Sequence, residues 1–322
     1  MPRVAAFDCG THSLRLLIAD VDLDAGTLTD VVREMTIVRL GRGVDRTGSL
    51  SDEALENAFN TTDKYAVTCR RLGVEASRFI ATSATRDASN RQAFVDGIEE
   101  RLDILPEVVS GEEEARLAFR GATAALATGH PSPFLVVDIG GGSTELVMGS
   151  DAPESMRSVD IGCVRMTERH LKSDPPTKEQ VAAAMEDIHA ALDLAAADVP
   201  LGSTRTLVGL AGSVTTVAAH ALGLESYRPE IIDGSIISTG DVCAAATDLL
   251  GRTQASRASL GFMHLGRIDV IGGGALVWRE VILRVHRETE RLGTPLETVV
   301  TSEHDILDGI AWTLAEAGGS SR

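Results

Sequence analysis

The stretch that most limits what this chain can become is residues 134–149, FLVVDIGGGSTELVMG. Phe134, Leu135, Val136 and Val137 form a continuous apolar run, short enough for a buried strand and too short for a helix. Asp138 closes that run and Gly140, Gly141 and Gly142 follow; after Ser143, Thr144 and Glu145 a second apolar run, 146–148, begins. Strand, glycine turn, strand predicts a hairpin. Glycines without Cβ let backbone approach a ligand closely and take positive φ. Successive N–H groups in such a turn form an anion-binding concavity. Asp138 and Glu145 bracket it, so a divalent cation can be shared between carboxylates and bound phosphate oxygens. A tight structural turn is the plain alternative; the flanking acids and hydroxyls favour phosphate. The stretch is not a Walker loop, because no lysine follows the glycines. Nor is it a dinucleotide fingerprint, whose glycines open a helix, since Leu146, Val147 and Met148 continue as strand.

The same design stands at the N-terminus. An apolar strand, 4–7, leads into Asp8-Cys9-Gly10-Thr11-His12-Ser13, and a second strand, 14–21, follows. Asp8 and Asp138 lie 130 residues apart. The recurrence points to two halves of one ancestral unit, each offering a phosphate-facing hairpin to a shared cleft. Arg15 follows the first loop. A single arginine is ordinarily a solvated surface residue, but beside a glycine–hydroxyl turn its planar fork suits a phosphate.

Composition sets the outer bounds. A chain of 322 residues is expected to fold as two domains. Aromatics are only 3%, so the core must be built from Ala, Val, Leu and Ile, and base stacking is a poor prospect. The net charge of −17 argues against nucleic acid and anionic membranes. It also means that a polyanionic substrate needs a local basic channel and metal ions to approach. Cys9, Cys69, Cys163 and Cys243 are scattered with no C-x-x-C pair, which fits a reduced cytoplasm better than a zinc site or a disulfide framework. Met1-Pro2-Arg3 runs straight into a strand, so no signal peptide is expected, and no apolar run approaches the roughly 18 residues of a membrane span. The expected location is the cytoplasm.

Between the hairpins the chain reads as alternating strands and helices. A strand over 28–40 ends in Gly41-Arg42-Gly43, and Ser51 opens a helix to about residue 72. A strand at 79–81 runs into Thr82-Ser83-Ala84-Thr85-Arg86, a hydroxyl cluster with one arginine at a strand end, where α/β sheets often place sites. Arg86 could equally cap a helix or pair with Asp87. Ser110-Gly111-Glu112-Glu113-Glu114 opens the next helix, and with Ser110 as N-cap, Glu113 completes a capping box. Glu112 and Glu114 are left for chemistry. The helix dipole favours their ionised form, as a general base on water requires, though three acids in a first turn are also simple helix initiation. Arg165, Arg169, His170 and Lys172 form one local basic run; Arg257 and His264 lie in another. Gly272, Gly273 and Gly274 suggest a glycine-rich strand-to-helix turn, and 305–317 a closing helix.

DCGTHSLR (8–15), ATSATRDASN (81–90), SGEEEA (110–115), DIGGGSTE (138–145), DIGCVRMTE (160–168) and GLAGSVTT (209–216) together resemble, in order and over nearly the whole chain, the motifs of the exopolyphosphatase / guanosine pentaphosphate phosphohydrolase (Ppx/GppA) family. The resemblance implies an α/β fold of two actin-like (ribonuclease H-like) domains, with mixed sheets flanked by helices and the active site in the interdomain cleft. The first domain would be 1–128, completed by a C-terminal helix at 303–322, and the second 129–302. The implied activity is hydrolysis of a terminal phosphate from inorganic polyphosphate or guanosine pentaphosphate. The implied base is Glu114, assisted by Arg86 and Arg15. Asp138 and Glu145 would be the carboxylates for Mg2+, or Mn2+. Asp8, Gly10, Thr11, His12, Ser13, Gly140, Gly141, Gly142, Ser143, Thr144, Arg165 and Arg257 would bind substrate. A homodimer is expected. Two departures stand out: His12 replaces the family's usual Asn, and the chain ends soon after the core, like the family's short form. Two rival readings are a non-catalytic sensor of the same ligands and an ATP-dependent kinase of the same superfold.

Overall fold

A computed structural model describes residues 1–126 and 129–319. The chain divides into two compact units, Met1–Gly121 together with the segment from Ile306, and Ala122–Asp305. The boundary expected after residue 128 adjoins residues 127 and 128, which lie outside the described residues, as do 320–322 of the expected closing stretch.

The first unit starts with β1 (Arg3–Cys9), β2 (Ser13–Asp22) and β3 (Thr27–Ile37), a meander with antiparallel pairing throughout. A short α1 (Val44–Thr47) precedes the 21-residue α2 (Asp52–Leu72). Ser51 caps α2 by accepting from the Ala54 N–H at 3.2 Å, and Gly73 ends it at φ 67, a left-handed conformation that costs glycine nothing. Next come β4 (Ala76–Ala81), α3 (Ser83–Asp87), α4 (Arg91–Leu102), β5 (Glu107–Val108) and α5 (Gly111–Ala125). Both β4 and β5 run parallel to β1, giving a mixed sheet of order β3-β2-β1-β4-β5. Scarce as aromatics are, four phenylalanines meet here: Phe7 stacks on Phe79 at 5.5 Å, Phe79 meets Phe94 at 6.2 Å, and Phe94 stacks on Phe59 at 6.5 Å. Sequence pattern alone missed α3, a helix too short to show periodicity.

The second unit carries β6 (Phe134–Ile139), β7 (Thr144–Gly149), β8 (Pro153–Val159), α6 (Cys163–Arg169), α7 (Lys178–Asp198), β9 (Thr206–Leu210), α8 (Ala211–Ala221), α9 (Pro229–Ile232), β10 (Ile236–Ser238), α10 (Thr239–Gly251), α11 (Gln254–Ala258), α12 (Ile271–Arg291) and β11 (Thr298–Thr301). The sheet order is β10-β11-β9-β6-β7-β8. Its core is the aliphatic one that composition demands, with Trp278 of α12 its one buried indole. Gly209 of β9 admits that ring, for a Cβ there would lie 2.7 Å from it.

Read from the third strand of each meander, the sheets are β3-β2-β1-β4-β5 and β8-β7-β6-β9-β11, with the same order and the same strand senses. The repeat first seen at Asp8 and Asp138 therefore runs through both sheets. The expected α/β class with two mixed sheets flanked by helices is the observed one. The closing helix, α13 (Ile306–Gly319), belongs to the first unit. Arg33 of β3 holds its Asp308 at 2.6 Å, Arg78 reaches Thr313 at 3.3 Å, and Arg120 holds Glu316. Gly309 lies so close to α5 that a Cβ would meet the Leu117 carbonyl at 2.0 Å.

One expectation fails. Gly272, Gly273 and Gly274 are not a loop after a strand but the first turn of α12. They are glycine because of packing: a Cβ on Gly273 would meet the Cys163 carbonyl at 2.6 Å, and one on Gly274 the Ser213 hydroxyl at 2.1 Å.

Candidate functional site

The glycine loop of the second unit is a turn closed by Gly140 N–H donating to the Ser143 carbonyl at 3.0 Å. Its carbonyls are all engaged from one side. Cys163 N–H donates to Gly140 O at 3.0 Å, Val164 and Arg165 N–H to Gly141 O at 2.9 and 3.1 Å, and Arg165 Nε to Gly142 O at 2.7 Å. A planar trans peptide points its N–H opposite to its C=O. The N–H groups of Gly141, Gly142 and Ser143 are thus directed away from α6, and none of them donates to a described residue. Successive amides left open in one turn are of the kind that can take an anion. Gly162 makes the brace possible: a Cβ on it would lie 2.4 Å from Gly141 O and 2.6 Å from Gly142 N.

Beside the loop, Asp138 and Glu145 face each other as direct cross-strand partners, 6% and 1% exposed. Like charges placed so are destabilising unless something positive joins them. Ser158 of β8 donates to Glu145 Oε1 at 2.7 Å, and the Thr144 hydroxyl is tied to Ile161 O. Among the described residues no group of three or more His, Cys, Asp or Glu side chains could hold a metal. Two buried carboxylates and no more fit Mg2+, which keeps several waters and binds through one or two carboxylates plus substrate phosphates.

The first unit repeats the turn. Gly10 N–H donates to Ser13 O at 2.9 Å, and the segment after β3 braces the loop from behind: Arg39 N–H to His12 O at 2.9 Å and Gly41 N–H to Thr11 O at 2.8 Å. Thr11 is buried, and its Oγ1 has no hydrogen-bond partner among the described residues. Here the cross-strand pair is Asp8 with Arg15, whose Nε and Nη2 both donate to Asp8 Oδ2, at 2.8 and 2.7 Å.

The parallel strands of this unit end level with that loop. Thr82 N–H donates to Cys9 O and Val109 N–H to Ala81 O, each at 3.1 Å. The stretch after β4 is thereby set beside the loop, and the start of α5 beside that stretch. Of the three acids opening α5, the side chains of Glu112, Glu113 and Glu114 are 68%, 37% and 11% exposed. Glu112 pairs with Arg116 on the surface, and Glu113 faces Arg78 and Arg116. Ser110 Oγ caps the helix by accepting from Glu113 N–H at 3.2 Å, half of the expected capping box. Glu114 alone turns inward, to Arg86 Nη1 at 3.3 Å; the same Nη1 donates to Val109 O at 2.9 Å. Arg86 thus reads the strand end and the carboxylate together.

Arg257 departs from expectation. Only 4% exposed, it donates to the carbonyls of Leu249, Leu250 and Ile268 at 2.8–3.1 Å, which makes it a structural tie and not a channel cation. Burial lowers its pKa below the usual arginine value. Pattern reasoning singled out Arg257 and His264 in that stretch and passed over Arg267. The Arg267 guanidinium lies against Gly212 in the turn after β9, so close that a Cβ on Gly212 would meet Cζ at 2.2 Å. The small-residue run GLAGSVTT was the available signal. In that same turn Ala211 sits at φ 67, a left-handed conformation that costs an L residue about 1–2 kcal/mol. Burial of the thiols next to the two loops pushes the Cys9 pKa well up and that of Cys163 to about 11, which disfavours the reactive thiolate. All four cysteines are free, and among the described residues no helix is long and apolar enough to cross a membrane.

Comparison with known proteins places the chain in a family. The model of the Ppx/GppA phosphatase family matches residues 17–292. Exopolyphosphatase 2 of Mycobacterium tuberculosis is 46% identical over 98% of this chain and 99% of its own length. A guanosine-5'-triphosphate,3'-diphosphate pyrophosphatase of Pseudoalteromonas atlantica is 34% identical over 60% of this chain and 38% of its own. A crystal structure of an exopolyphosphatase-like protein superposes with a TM-score of 0.94 at 43% identity, covering 98% of this chain and 99% of that one. The chain belongs to the Ppx/GppA phosphatase family.

Proposed function

We propose that the chain hydrolyses the terminal phosphoanhydride bond of inorganic polyphosphate, with Glu114 as the base that activates water. The single observation that carries the reading is the inward turn of Glu114: alone among the first-turn acids of α5, it is withdrawn from solvent and held by Arg86. A fixed, ionised carboxylate at a helix start is suited to orient water and take its proton. The water oxygen forms a bond to the terminal phosphorus, the bridging P–O bond breaks, and the shortened chain leaves with the bonding pair. Amides of Gly141, Gly142 and Ser143 are the donors for the terminal phosphate oxygens, and they need no reorganisation as charge builds up. The first loop offers the Thr11 hydroxyl, with His12 and Ser13 beside it. Arg165 holds the cradle by its Gly142 bond, and Arg15 neutralises Asp8, so both act on the loops themselves. Asp138 and Glu145 would hold Mg2+, which when bound supplies positive charge against the phosphate oxygens.

Polyphosphate as substrate is favoured by the full-length similarity to an exopolyphosphatase at 46% identity. Guanosine pentaphosphate is a second reading, favoured by the partial similarity to a pyrophosphatase of that nucleotide. Phosphate release from short and long polyphosphate and from guanosine pentaphosphate, with and without Mg2+ and with no acceptor present, tests both. Glu114→Ala should lower turnover by about 10²–10⁴-fold while polyphosphate binding persists. Near-normal turnover in that variant would remove Glu114 from its role, and no release from any substrate would favour a binding protein or a kinase.

A further inference from the structure

We infer that Ser158 is a positioning residue for the divalent cation, acting through the carboxylate of Glu145. The inference rests on the metal role proposed above for Asp138 and Glu145. Ser158 lies on β8 directly opposite Glu145 in an antiparallel ladder, where paired side chains share a face. Its hydroxyl is 2.7 Å from Glu145 Oε1, and since an ionised carboxylate only accepts, the hydroxyl is the donor. That bond fixes the plane of a side chain 1% exposed. Hydrogen bonds of this kind, made to a ligand and not to the metal, set ligand direction and basicity.

The duplicated fold supplies an internal control. Across the second sheet the row reads Leu210, Asp138, Glu145, Ser158; the equivalent row of the first reads Ile80, Asp8, Arg15, Met35. In the first row the acid has a resident cation, Arg15, and the next strand contributes an apolar methionine. In the second row two acids oppose each other, and the next strand contributes a hydroxyl.

The test is Mn2+ binding by calorimetry, in the presence of inorganic phosphate, to the full-length protein and to Ser158→Ala, Ser158→Thr and Glu145→Gln, each with a thermal melt. Ser158→Ala should weaken Mn2+ about 10-fold with little change in melting, and Ser158→Thr, which keeps the hydroxyl, should restore most of it. Unaltered Mn2+ affinity in folded Ser158→Ala, or equal loss in the threonine variant, overturns the inference. The metal assignment fails separately, taking the inference with it, if Glu145→Gln binds Mn2+ like the unmodified protein.

Discussion

The loop geometry makes a demanding prediction at Gly162, which packs against the glycine turn. Gly162 sits at φ −137 and ψ 168, extended backbone open to any residue, so Gly162→Ala carries no conformational penalty of its own. Its whole effect is collision. The new Cβ would lie 2.4 Å from Gly141 O and 2.6 Å from Gly142 N, where ordinary contact begins at 3.4 Å. Both clashing atoms are backbone, so the glycine loop itself must retreat by about 1 Å. Overpacking of this kind costs about 1–3 kcal/mol of stability. Moving reacting groups by about 1 Å can cost about 100-fold in rate, or about 2.7 kcal/mol of transition-state stabilisation. We therefore expect turnover of Gly162→Ala to fall about 100-fold in a phosphate-release assay, run well below a melting midpoint lowered only modestly. Gly140→Ala is the graded comparison, since its Cβ would meet Ser143 O at 3.2 Å, a contact relieved by a few tenths of an ångström. It should lose far less. Turnover of Gly162→Ala within about 3-fold of the unmodified protein would refute the claim that the braced amides bind the reacting phosphate.

Two further outcomes follow from partners already described. Arg257→Met removes the donors to the buried carbonyls of Leu249, Leu250 and Ile268, and each buried acceptor left unsatisfied costs about 1–3 kcal/mol. The melting temperature should drop sharply while turnover at low temperature is kept; lost turnover with unchanged melting would return Arg257 to the substrate channel. The second concerns pH. Burial works to raise the Asp187 pKa, but hydrogen bonds from His170 and Arg169 outweigh it and hold the pKa below its ordinary value. A carboxylate depressed on folding adds stability above its unfolded pKa, and that stability is lost as pH falls through the folded one. The protein should therefore lose stability progressively below about pH 4, and Asp187→Asn should make that acid limb shallower in denaturant titrations. An unchanged limb would show that the Asp187 pairs contribute nothing.

Much of the architecture was legible because it is written in local pattern. Apolar runs of four residues closed by Asp and glycine, at Asp8 and Asp138, leave little choice but strand and turn. Their recurrence pointed to two halves of one ancestral unit, and the α/β class came with the family resemblance. The long helices were equally readable, with Ser51 and Thr177 found at the caps of α2 and α7. Short elements such as α3, α9, β10 and α11 were missed because three to five residues show no period.

The candidate site divided along a similar line. Sequence by itself determined which residue types could do the chemistry: the glycine loops, the flanking acids and the glutamates opening α5. It did not separate Glu112 from Glu114 on chemical grounds, because both are acids in one helical turn. That difference is one of burial, decided by which face of α5 meets Arg86 and the end of β5. Arginines were the least legible of all. Arg15, Arg165, Arg257 and Arg267 are alike in sequence, and only the folded chain assigns one to Asp8, one to the Gly142 carbonyl, one to buried carbonyls and one to the turn at Gly212. The physical reason is reach. A long flexible side chain takes its role from partners brought near by tertiary packing, whereas a glycine turn takes its role from its own backbone.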